Sequence, residues 1–369
     1  MKAMILYEHC SPHQVTAVKA AQACFAQSGH TLVPAELYSG SLDYGWTFAD
    51  MARPSDWVCF FPKHQQISNV KRFRETLRQI KHHQVDVLVL NGWYSRFVWW
   101  LRAMRSYLRS KLVIVSDSVV WDHPRSTLKE KVKRWFVKGM HAGFVAGHPQ
   151  QEYLYSLGMP MERMSLGNDV VDNALYAHIP ERQSHEGRKL VIGTAARLIP
   201  KKNLQAAMQA FSQVLQAHPD WNVEWRLAGR GPLETELKQL AADLRAPVVF
   251  AGFVGYHDMP GFYGGLDLYW QPSLSEPWGL VINEAMASGL PVLASDRCGC
   301  ARDLVMSENG WIHGIDIASM AHSLGQAIEH HTRWATMGQA SRNLIQHWGP
   351  ERFAQGLLES CQLALMDAR

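Results

Sequence analysis

Two features that would assign this chain to a special class are scarce in its sequence. The 369 residues include six cysteines, too few for a disulfide framework. No segment approaches the roughly 18 consecutive apolar residues that a membrane-spanning helix needs. The short apolar run after Met1 ends at Glu8, too early for the core of a signal peptide. We therefore expect a cytoplasmic protein with free thiols and no membrane-spanning anchor.

Charge is also sparse, at 19% of the residues, and it is unevenly distributed. Up to residue 180, 21 Lys and Arg face 14 Asp and Glu, whereas the remainder has 16 against 19. The surplus is densest in residues 96–138, where aromatic residues lie among eleven basic ones. This pattern is typical either of solvated helix faces with inward tryptophans or of peripheral contact with an anionic membrane at its inner face. No nucleic-acid partner is expected, because no nucleic-acid-binding module accompanies the charge.

Short runs rich in valine, isoleucine and aromatic residues alternate with stretches of helical period along most of the chain. This alternation predicts an α/β fold with parallel sheets and crossover helices. Six candidate strands precede residue 180 and five follow residue 188, with a polar linker at 178–188. The sequence therefore predicts two tandem Rossmann-like, doubly wound domains, 1–180 and 188–349, with ligands in the cleft between them. A last amphipathic helix, 350–366, is expected to pack back on the first domain.

The segment 267–292 places two carboxylates around a turn at the end of a predicted strand. Glu276 lies in the loop, Gly279 at the turn, and Glu284 within a helix that is predicted to begin near residue 280. A glycine allows a ligand to approach the backbone, and the N–H groups at a helix N-terminus suit a phosphate. The spacing favours a ligand that combines a sugar, a diphosphate and a ribose. Taken singly, each glutamate is more typical of a solvated position than of a ligand-binding one.

Two cations follow the first predicted strand of the same domain. Arg197 falls where that strand ends, and Lys202 comes five residues later, before a helix that Asn203 is expected to cap. Because the carboxyl ends of parallel strands share one edge of a sheet, we expect both cations to face the same ligand as Gly279. Together they would clamp a diphosphate.

Four motifs occur in order between about residues 190 and 310. They are Arg197-Leu-x-x-x-Lys202-Asn, Ala228-Gly-Arg-Gly-Pro232, Phe250-Ala-Gly-Phe-Val254 and Pro272-Ser-x-x-Glu276-x-x-Gly279-x-x-x-x-Glu284. This part of the chain resembles the family-4 retaining glycosyltransferases of the GT-B fold. In the first half the resemblance rests on the order of elements and on Gly167-Asn-Asp-Val-Val-Asp172.

The resemblance implies a role for each matching residue. Arg197 and Lys202 would bind and neutralise the departing diphosphate, Glu276 would contact the donor sugar, and Glu284 would hold the ribose hydroxyls. The positions expected to border the base, phosphate and sugar of the donor are Gly252, Phe253, Val254, Gly279, Leu280 and Val281. The resemblance also implies transfer with retention of anomeric configuration and without a metal, since the fixed cations would take the metal's role.

The chain departs from the family pattern at two places. In the first half, the histidine common after a later strand is replaced by Asp117, and His123 arrives further on. These two residues are the candidates for the acceptor pocket, against the alternatives of a helix cap and a loop histidine. In the second half, Cys298-Gly-Cys300 stands for the usual glycine pair and Asp303 for a common glutamate. These changes would alter the donor-sugar pocket.

We therefore predict a hexosyltransferase that moves a sugar from a nucleotide diphosphate sugar to a glycan or lipid-linked acceptor in cell-surface polysaccharide or lipopolysaccharide synthesis. Two alternatives stay open: a GT-B nucleotide-sugar epimerase, which needs no acceptor, and an inactive nucleotide-sugar-binding subunit of a glycan assembly complex. A dinucleotide-dependent dehydrogenase is disfavoured because neither domain opens with a G-x-G-x-x-G fingerprint. No metal site is expected.

Overall fold

The computed structural model of the protein describes residues 1–38, 56–61, 67–179 and 188–366. The chain divides into two units, one formed by residues 1–172 with the C-terminal segment from 348 onward, the other by residues 173–347. Most of the predicted linker at 178–188 lies outside the described residues.

The first unit contains a parallel sheet that has seven strands in the part of the chain described. These strands are β1 (Lys2–Tyr7), β2 (Thr31–Tyr38), β3 (Val58–Phe61), β4 (Val87–Asn91), β5 (Lys111–Ser116), β6 (Ala142–Val145) and β7 (Met164–Leu166). Its helices before residue 172 are α1 (Pro12–Gln27), α2 (Asn69–His83), α3 (Arg96–Ala103), α4 (Thr127–Val137) and α5 (His148–Ser156). The strand order is β3-β2-β1-β4-β5-β6-β7. The central strands are buried on both faces, as continuous apolar runs predict.

The second unit repeats this arrangement with six parallel strands among the described residues. They are β8 (Leu190–Ala195), β9 (Val223–Ala228), β10 (Val248–Gly252), β11 (Leu268–Gln271), β12 (Val292–Ser295) and β13 (Gly310–His313). Its helices are α6 (Leu204–Ala217), α7 (Glu234–Asp243), α8 (Met259–Gly264), α9 (Leu280–Ala287), α10 (Ala301–Leu304), α11 (Ile317–Glu329) and α12 (Trp334–Ile345). The strand order is β10-β9-β8-β11-β12-β13. Both sheets confirm the predicted α/β, doubly wound, Rossmann-like architecture.

The C-terminal helix α13 (Pro350–Leu365) packs on the sheet of the first unit. Phe353 lies edge-to-face on Phe144 of β6, with ring centroids 5.2 Å apart. Ser165 of β7 donates a hydrogen bond to the carbonyl of Gly356 at 2.7 Å. A Cβ on Gly356 would lie 2.3 Å from the carbonyl oxygen of Leu166, so the helix approaches the strand this closely only because residue 356 has no side chain.

The boundaries of the two units differ from the predicted ones by several residues. The 3₁₀ helix Asn173–Tyr176 belongs to the second unit, because Tyr176 packs edge-to-face on Tyr263 and the Asn173 amide donates to the Ile345 carbonyl at 2.9 Å. Trp348 belongs to the first unit, where its indole N–H donates to the Asp169 carbonyl at 3.1 Å. The first unit therefore ends near 172 rather than 180, and its last segment begins near 348 rather than 350.

Each sheet has one strand more than the sequence predicts. The additional strands, β7 and β13, have three and four residues and lie at the corresponding edge of each sheet. Met164–Leu166 has only three residues, and Gly310–His313 begins with glycine and ends with histidine, so neither shows a strand pattern. Their pairing with β6 and β12, rather than their own composition, makes them strands.

Candidate active site

The strand order of the second unit brings the predicted donor residues to one edge of its sheet. β8 pairs with β9 on one side and with β11 on the other. The connections that leave β8 and β11 therefore diverge at their carboxyl ends, the position where ligands bind in open α/β sheets. Arg197 and Lys202 follow β8, and Glu276 follows β11.

Lys202 and Glu276 form an ion pair between the two loops. The Lys202 ammonium donates to Glu276 Oε2, and the Ser273 hydroxyl donates to the same oxygen at 3.2 Å. The loops are also joined through the backbone, since Leu274 N–H donates to the Lys201 carbonyl at 2.9 Å. A lysine has three N–H donors, so this pairing uses part of the capacity of Lys202. The structure thus brings together two of the three residues predicted to be catalytic.

Arg197, the third, is exposed just beyond β8. The loop that follows β9 fixes its backbone, because Leu198 N–H donates to the Arg230 carbonyl at 3.0 Å. A Cβ at Gly229 would lie 1.9 Å from the Ala196 carbonyl oxygen, and Gly229 has a φ of 134°. The Ala228-Gly-Arg-Gly motif is therefore needed to let two loops at the strand ends touch through their backbones.

Asn203 does not cap helix α6 in the predicted way. Its φ is 58°, in the left-handed region, and its side chain makes no capping hydrogen bond. The side-chain amide instead donates to the Ile315 carbonyl at 3.0 Å. The prediction was wrong because a cap requires an extended backbone, whereas the 3₁₀ turn Pro200–Lys202 ends in a left-handed residue.

Helix α9 begins at Leu280, as the sequence predicts. Gly279 precedes it with a φ of 111°, and a Cβ there would contact Glu276 Cγ at 3.2 Å and Cys300 Sγ at 3.5 Å. Leu280 and Val281 are half-buried in the first turn. Because the first N–H groups of a helix have no partner within it, this turn presents donors beside Glu276.

Glu284 is buried in α9, at 6% exposure. The Tyr263 hydroxyl of α8 donates to its Oε2 at 2.7 Å. Burial and the Glu284 carboxylate raise the pKa of Tyr263 well above its ordinary value, so the phenol keeps the proton that it donates. Tyr263 could not be recognised from the sequence, because its helix is short and nothing in the spacing links it to Glu284.

The Cys298-Gly-Cys300 turn supports Glu276 through the backbone. Glu276 N–H donates to the Arg297 carbonyl at 2.9 Å, and Gly299 N–H donates to the Glu276 carbonyl at 3.0 Å. Burial raises the pKa of the Cys298 thiol to about 12, and the Glu276 carboxylate acts in the same direction. A thiol that stays protonated at neutral pH is a poor nucleophile. Asp303 is half-buried in the short helix α10 that follows this turn.

Residues 252–254 lie at the end of β10, at the same edge of the sheet. Gly252 ends the strand with a φ of 71°, and its carbonyl accepts a hydrogen bond from Gly229 N–H at 2.6 Å. Phe253 is 60% exposed, and Val254 is half-buried beside it. An exposed aromatic ring at a ligand-binding edge offers a stacking surface for a planar base. The base contact itself stays a prediction.

In the first unit, Asp117 follows β5 at the carboxyl edge of the sheet. It acts electrostatically on Asp169, which follows β7, and Asp169 in turn acts on Tyr7 at the end of β1. Burial, with the negative charge of Asp117, raises the pKa of Asp169 well above its ordinary value. Sequence reasoning missed Asp169 and Tyr7 as site candidates because 110 residues separate Tyr7 from Asp117.

His123, the second acceptor-side candidate, is exposed, and its Nε2 lies 3.5 Å from a carboxylate oxygen of Asp122. Both residues line a pocket of about 450 Å³ that also contains Trp93, Tyr94 and Lys129. The pocket therefore offers aromatic faces, a carboxylate and a cation within the first unit. These are the groups that recognise sugars and their acidic derivatives.

The basic segment 96–138 exposes part of its apolar surface. Tyr107 is 85% exposed and Leu128 70%. Trp135, at 49%, stacks on Trp99, and the Arg102 guanidinium lies 3.5 Å from the centre of its ring. Some tryptophans therefore face inward while others remain at the surface. Within the described ranges, no helix is both long and apolar enough to cross a membrane.

In the described part of the chain, no three His, Cys, Asp or Glu side chains are grouped so that they could hold a metal ion. The predicted donor residues therefore present cations, amides and two carboxylates.

Residues 177–344 match the family model described as "Glycosyl transferases group 1". This range contains every residue predicted to contact the donor. The matched range lies within the second unit, which spans residues 173–347. The two Rossmann-like sheets are those of the GT-B fold.

Two curated relatives illustrate the similarity. The chain is 28% identical over 198 residues to the "GDP-mannose-dependent monoacylated alpha-(1-6)-phosphatidylinositol monomannoside mannosyltransferase" of Corynebacterium glutamicum. The alignment covers 50% of this chain and 51% of the relative. This chain is 25% identical over 283 residues to the "D-inositol 3-phosphate glycosyltransferase" of Corynebacterium efficiens, in an alignment that covers 69% of this chain and 66% of the relative. The matched parts thus span between half and two thirds of the length of these relatives.

Similarity of fold extends over nearly the whole chain. The crystal structure of Anabaena Alr3699/HepE in complex with UDP and glucose superposes with a TM-score of 0.73 and covers 98% of this chain and 99% of that one. The two sequences are 19% identical, so this likeness concerns the fold.

Proposed function

We propose that this protein is a metal-independent, retaining glycosyltransferase that uses a nucleotide diphosphate sugar as donor. The observation that carries the proposal is the carboxyl edge of the second sheet, where Lys202 pairs with Glu276 and where Arg197 and the first turn of α9 also lie. The family match over the same residues supports it. Relatives described as mannosyltransferases and glycosyltransferases support a hexosyl donor.

Bond cleavage at the anomeric carbon leaves negative charge on the departing nucleoside diphosphate. Arg197 and Lys202 would neutralise that charge as it develops, and the N–H groups of Leu280 and Val281 would add fixed dipoles. Because Lys202 lies in the 3₁₀ turn and the two N–H groups lie in the helix, these donors need little reorganisation. The charge therefore has protein partners, and no metal is needed to stabilise the leaving group.

Glu276 is placed to bind rather than to attack. Its Oε2 already accepts from Lys202 and Ser273, which lowers the electron density available for attack on carbon. It would hold a sugar hydroxyl, while the acceptor attacks from the side of the leaving group and a phosphate oxygen takes the acceptor's proton. This course retains anomeric configuration without a covalent enzyme intermediate. Glu284, held by Tyr263, would accept from the ribose hydroxyls.

The acceptor would bind to the first unit. Asp117 and the pocket that contains His123 and Trp93 are the proposed contacts. We propose a glycan or lipid-linked acceptor in cell-surface polysaccharide or lipopolysaccharide synthesis, since a relative named "Putative colanic acid biosynthesis glycosyltransferase WcaL" from Salmonella typhimurium is 24% identical over 220 residues, 57% of this chain and 53% of the relative.

We also propose that segment 96–138 contacts an anionic membrane surface from the cytoplasmic side. Exposed Tyr107, Leu128 and Trp135 beside basic residues suit the interface of a bilayer. Sedimentation with phosphatidylglycerol vesicles should retain the wild type and retain less of a Trp135→Ala variant. Equal binding to phosphatidylcholine vesicles would contradict the proposal.

The donor site is tested by thermal stabilisation with UDP-, GDP- and ADP-sugars in the presence of a chelator. One nucleotide class should raise the melting temperature, and the effect should disappear in Lys202→Ala. Release of nucleoside diphosphate on adding glycan or lipid acceptors, with NMR of the product's anomeric proton, then tests transfer and retention. Arg197→Ala and Glu276→Ala should lose transfer and remain folded.

The same assay separates the alternatives. Conversion of the donor sugar to its epimer without any acceptor would indicate an epimerase. If a donor raises the melting temperature while none of the glycan or lipid acceptors causes release of nucleoside diphosphate, that result would favour a binding subunit. Full activity of Arg197→Ala or Glu276→Ala would overturn the site assignment.

A further inference from the structure

A pocket at the amino edge of the first sheet has a strong excess of positive charge. Its volume is about 490 Å³. The titratable side chains among its described lining residues are Arg105, Lys111, Lys138, His141 and Arg163. No described aspartate or glutamate lines it.

The topology places these side chains together. Lys111 is the first residue of β5, His141 immediately precedes β6, and Arg163 immediately precedes β7. Because parallel strands begin at one edge of a sheet, three consecutive strand starts converge there. Lys138 directly follows α4 and Arg105 follows α3, and both residues line the same pocket.

The pocket also has an apolar part. Val137, Met140 and Met159 line it and are almost fully buried. Apolar walls lower the local dielectric constant, which strengthens the interaction of the cations with any charge that enters. A bound anion would therefore gain more here than on an open basic surface.

Backbone contacts hold several of the charged groups in place. The Arg163 guanidinium donates to the carbonyls of Leu363 and Met366 at 2.8 and 2.9 Å. Arg105 donates to the Gly139 carbonyl at 3.3 Å. His141 Nδ1 accepts from Leu112 N–H at 2.9 Å, which leaves the proton of the neutral ring on Nε2. These anchors reduce the conformational entropy that the side chains would lose on binding a ligand.

The pKa of His141 indicates that several positive charges lie close to its ring. Burial lowers its pKa, and Lys111, Arg105 and Arg163 lower it further, in that order. Like charges held close together raise the free energy of the folded protein until a counter-ion neutralises them. The ring therefore lies within the field of three cations.

The second unit has a pocket of similar size at the amino edge of its own sheet, but with balanced charge. Its volume is about 480 Å³, and Arg188 and His331 share its lining with Asp220 and Glu329. Arg188 also pairs with Asp267 at 2.5 Å. The fold alone therefore does not produce a basic pocket at this edge.

We propose that the pocket formed by Arg105, Lys111, Lys138, His141 and Arg163 binds a phosphate group, carried by a soluble phosphate ester or by the headgroup of an anionic lipid. The site lies at the edge of the first sheet opposite to Asp117. It does not depend on the proposed sugar transfer.

The test is a pH titration of the His141 ring by NMR on the full chain, in sodium phosphate and in sodium chloride at equal ionic strength. A His141→Gln variant identifies the signal. Because a nearby anion favours the imidazolium, phosphate should raise the pKa of His141 by about one unit relative to chloride. The double variant Lys111→Gln with Lys138→Gln should lose most of that rise. Lys129→Gln with Lys131→Gln removes the same charge from outside this pocket and should keep it.

Two outcomes would overturn the proposal: the same titration in both salts, or the same rise in both double variants, which would indicate general screening only. The source of the phosphate follows from competition. If phosphatidylglycerol vesicles abolish the effect of inorganic phosphate and phosphatidylcholine vesicles do not, the ligand is a lipid headgroup. If neither vesicle competes, the ligand is a soluble phosphate ester such as glycerol 3-phosphate, used as the next probe.

Discussion

The carboxyl edges of the two sheets draw on the chain in different ways. In the second unit, the charged groups come from two short segments, 197–203 and 272–284, and Lys202 pairs with Glu276. In the first unit, Tyr7, Asp117 and Asp169 come from three distant segments, and two carboxylates act on each other. Functional residues that lie close together in the chain form motifs that can be recognised in the sequence, whereas residues from distant segments do not. The difference explains why the donor side could be predicted in detail and the acceptor side only in outline.

The largest effect on the rate of sugar transfer is expected from a variant that removes the ion pair at the carboxyl edge of the second sheet. Lys202→Ala should lower the rate of sugar transfer by about 10³-fold, because it removes a fixed partner of the leaving group. Lys189 is the matched control: it also pairs with a glutamate of the same sheet, Glu224 at 2.9 Å, but at the amino edge. Steady-state rates of Lys189→Ala should equal the wild type. A similar loss in both variants would mean that the ion pair supports folding rather than transfer.

The next effect tests how far the first unit depends on a distant segment. Gly356→Ala should destabilise this unit by about 3 kcal/mol, because the added Cβ would collide with the Leu166 carbonyl. Gly325→Ala, in the interior of α11, meets nothing within 4 Å and should be neutral or slightly stabilising. Urea denaturation of both variants measures the difference. Equal stabilities would show that α13 shifts without cost.

A smaller effect separates the charge of Asp117 from its function. Burial and Asp117 raise the pKa of Asp169 in the folded protein above its value in the unfolded chain. The protein therefore loses stability as the pH rises from the unfolded-state pKa to the folded-state pKa. Asp117→Asn should therefore stabilise the protein by about 1 kcal/mol at pH 7, while lowering transfer if Asp117 contacts the acceptor. The gain should shrink as the pH falls, because a protonated Asp169 no longer repels the charge of Asp117. Asp220→Asn, at an exposed position of the second unit, should show no gain in thermal unfolding.

The smallest effect concerns a buried histidine of the second unit. His313 accepts from the Trp270 indole at 3.0 Å on Nε2 and donates from Nδ1 to the Gly314 carbonyl at 2.6 Å. Burial lowers its pKa, so the unfolded chain takes up a proton first, and stability falls as the pH drops below about 6.5. His313→Gln should weaken this dependence between pH 7 and 5. His322→Gln, exposed on α11, should leave it unchanged in thermal scans.

The sequence predicted most of the second unit because its local patterns agree with its tertiary structure. The apolar run at 190–195 forms β8, and α9 begins at Leu280 beside Gly279. Asn203 is an exception, because its left-handed backbone is incompatible with the expected cap. Tyr263 could not be predicted, since its contact with Glu284 depends on how α8 packs on α9.

By itself, the sequence determined the alternation of strands and helices, the two-unit organisation and the motifs that follow β8 and β11. These features depend on periodicity and on residues close together in the chain, so the sequence alone is enough to predict them. Only the tertiary structure decided which distant groups meet: Asp117 with Asp169, the C-terminal helix with β7, and the cations at the amino edge of the first sheet. Parallel strand order creates those meetings, because it brings strand ends together irrespective of their separation in sequence.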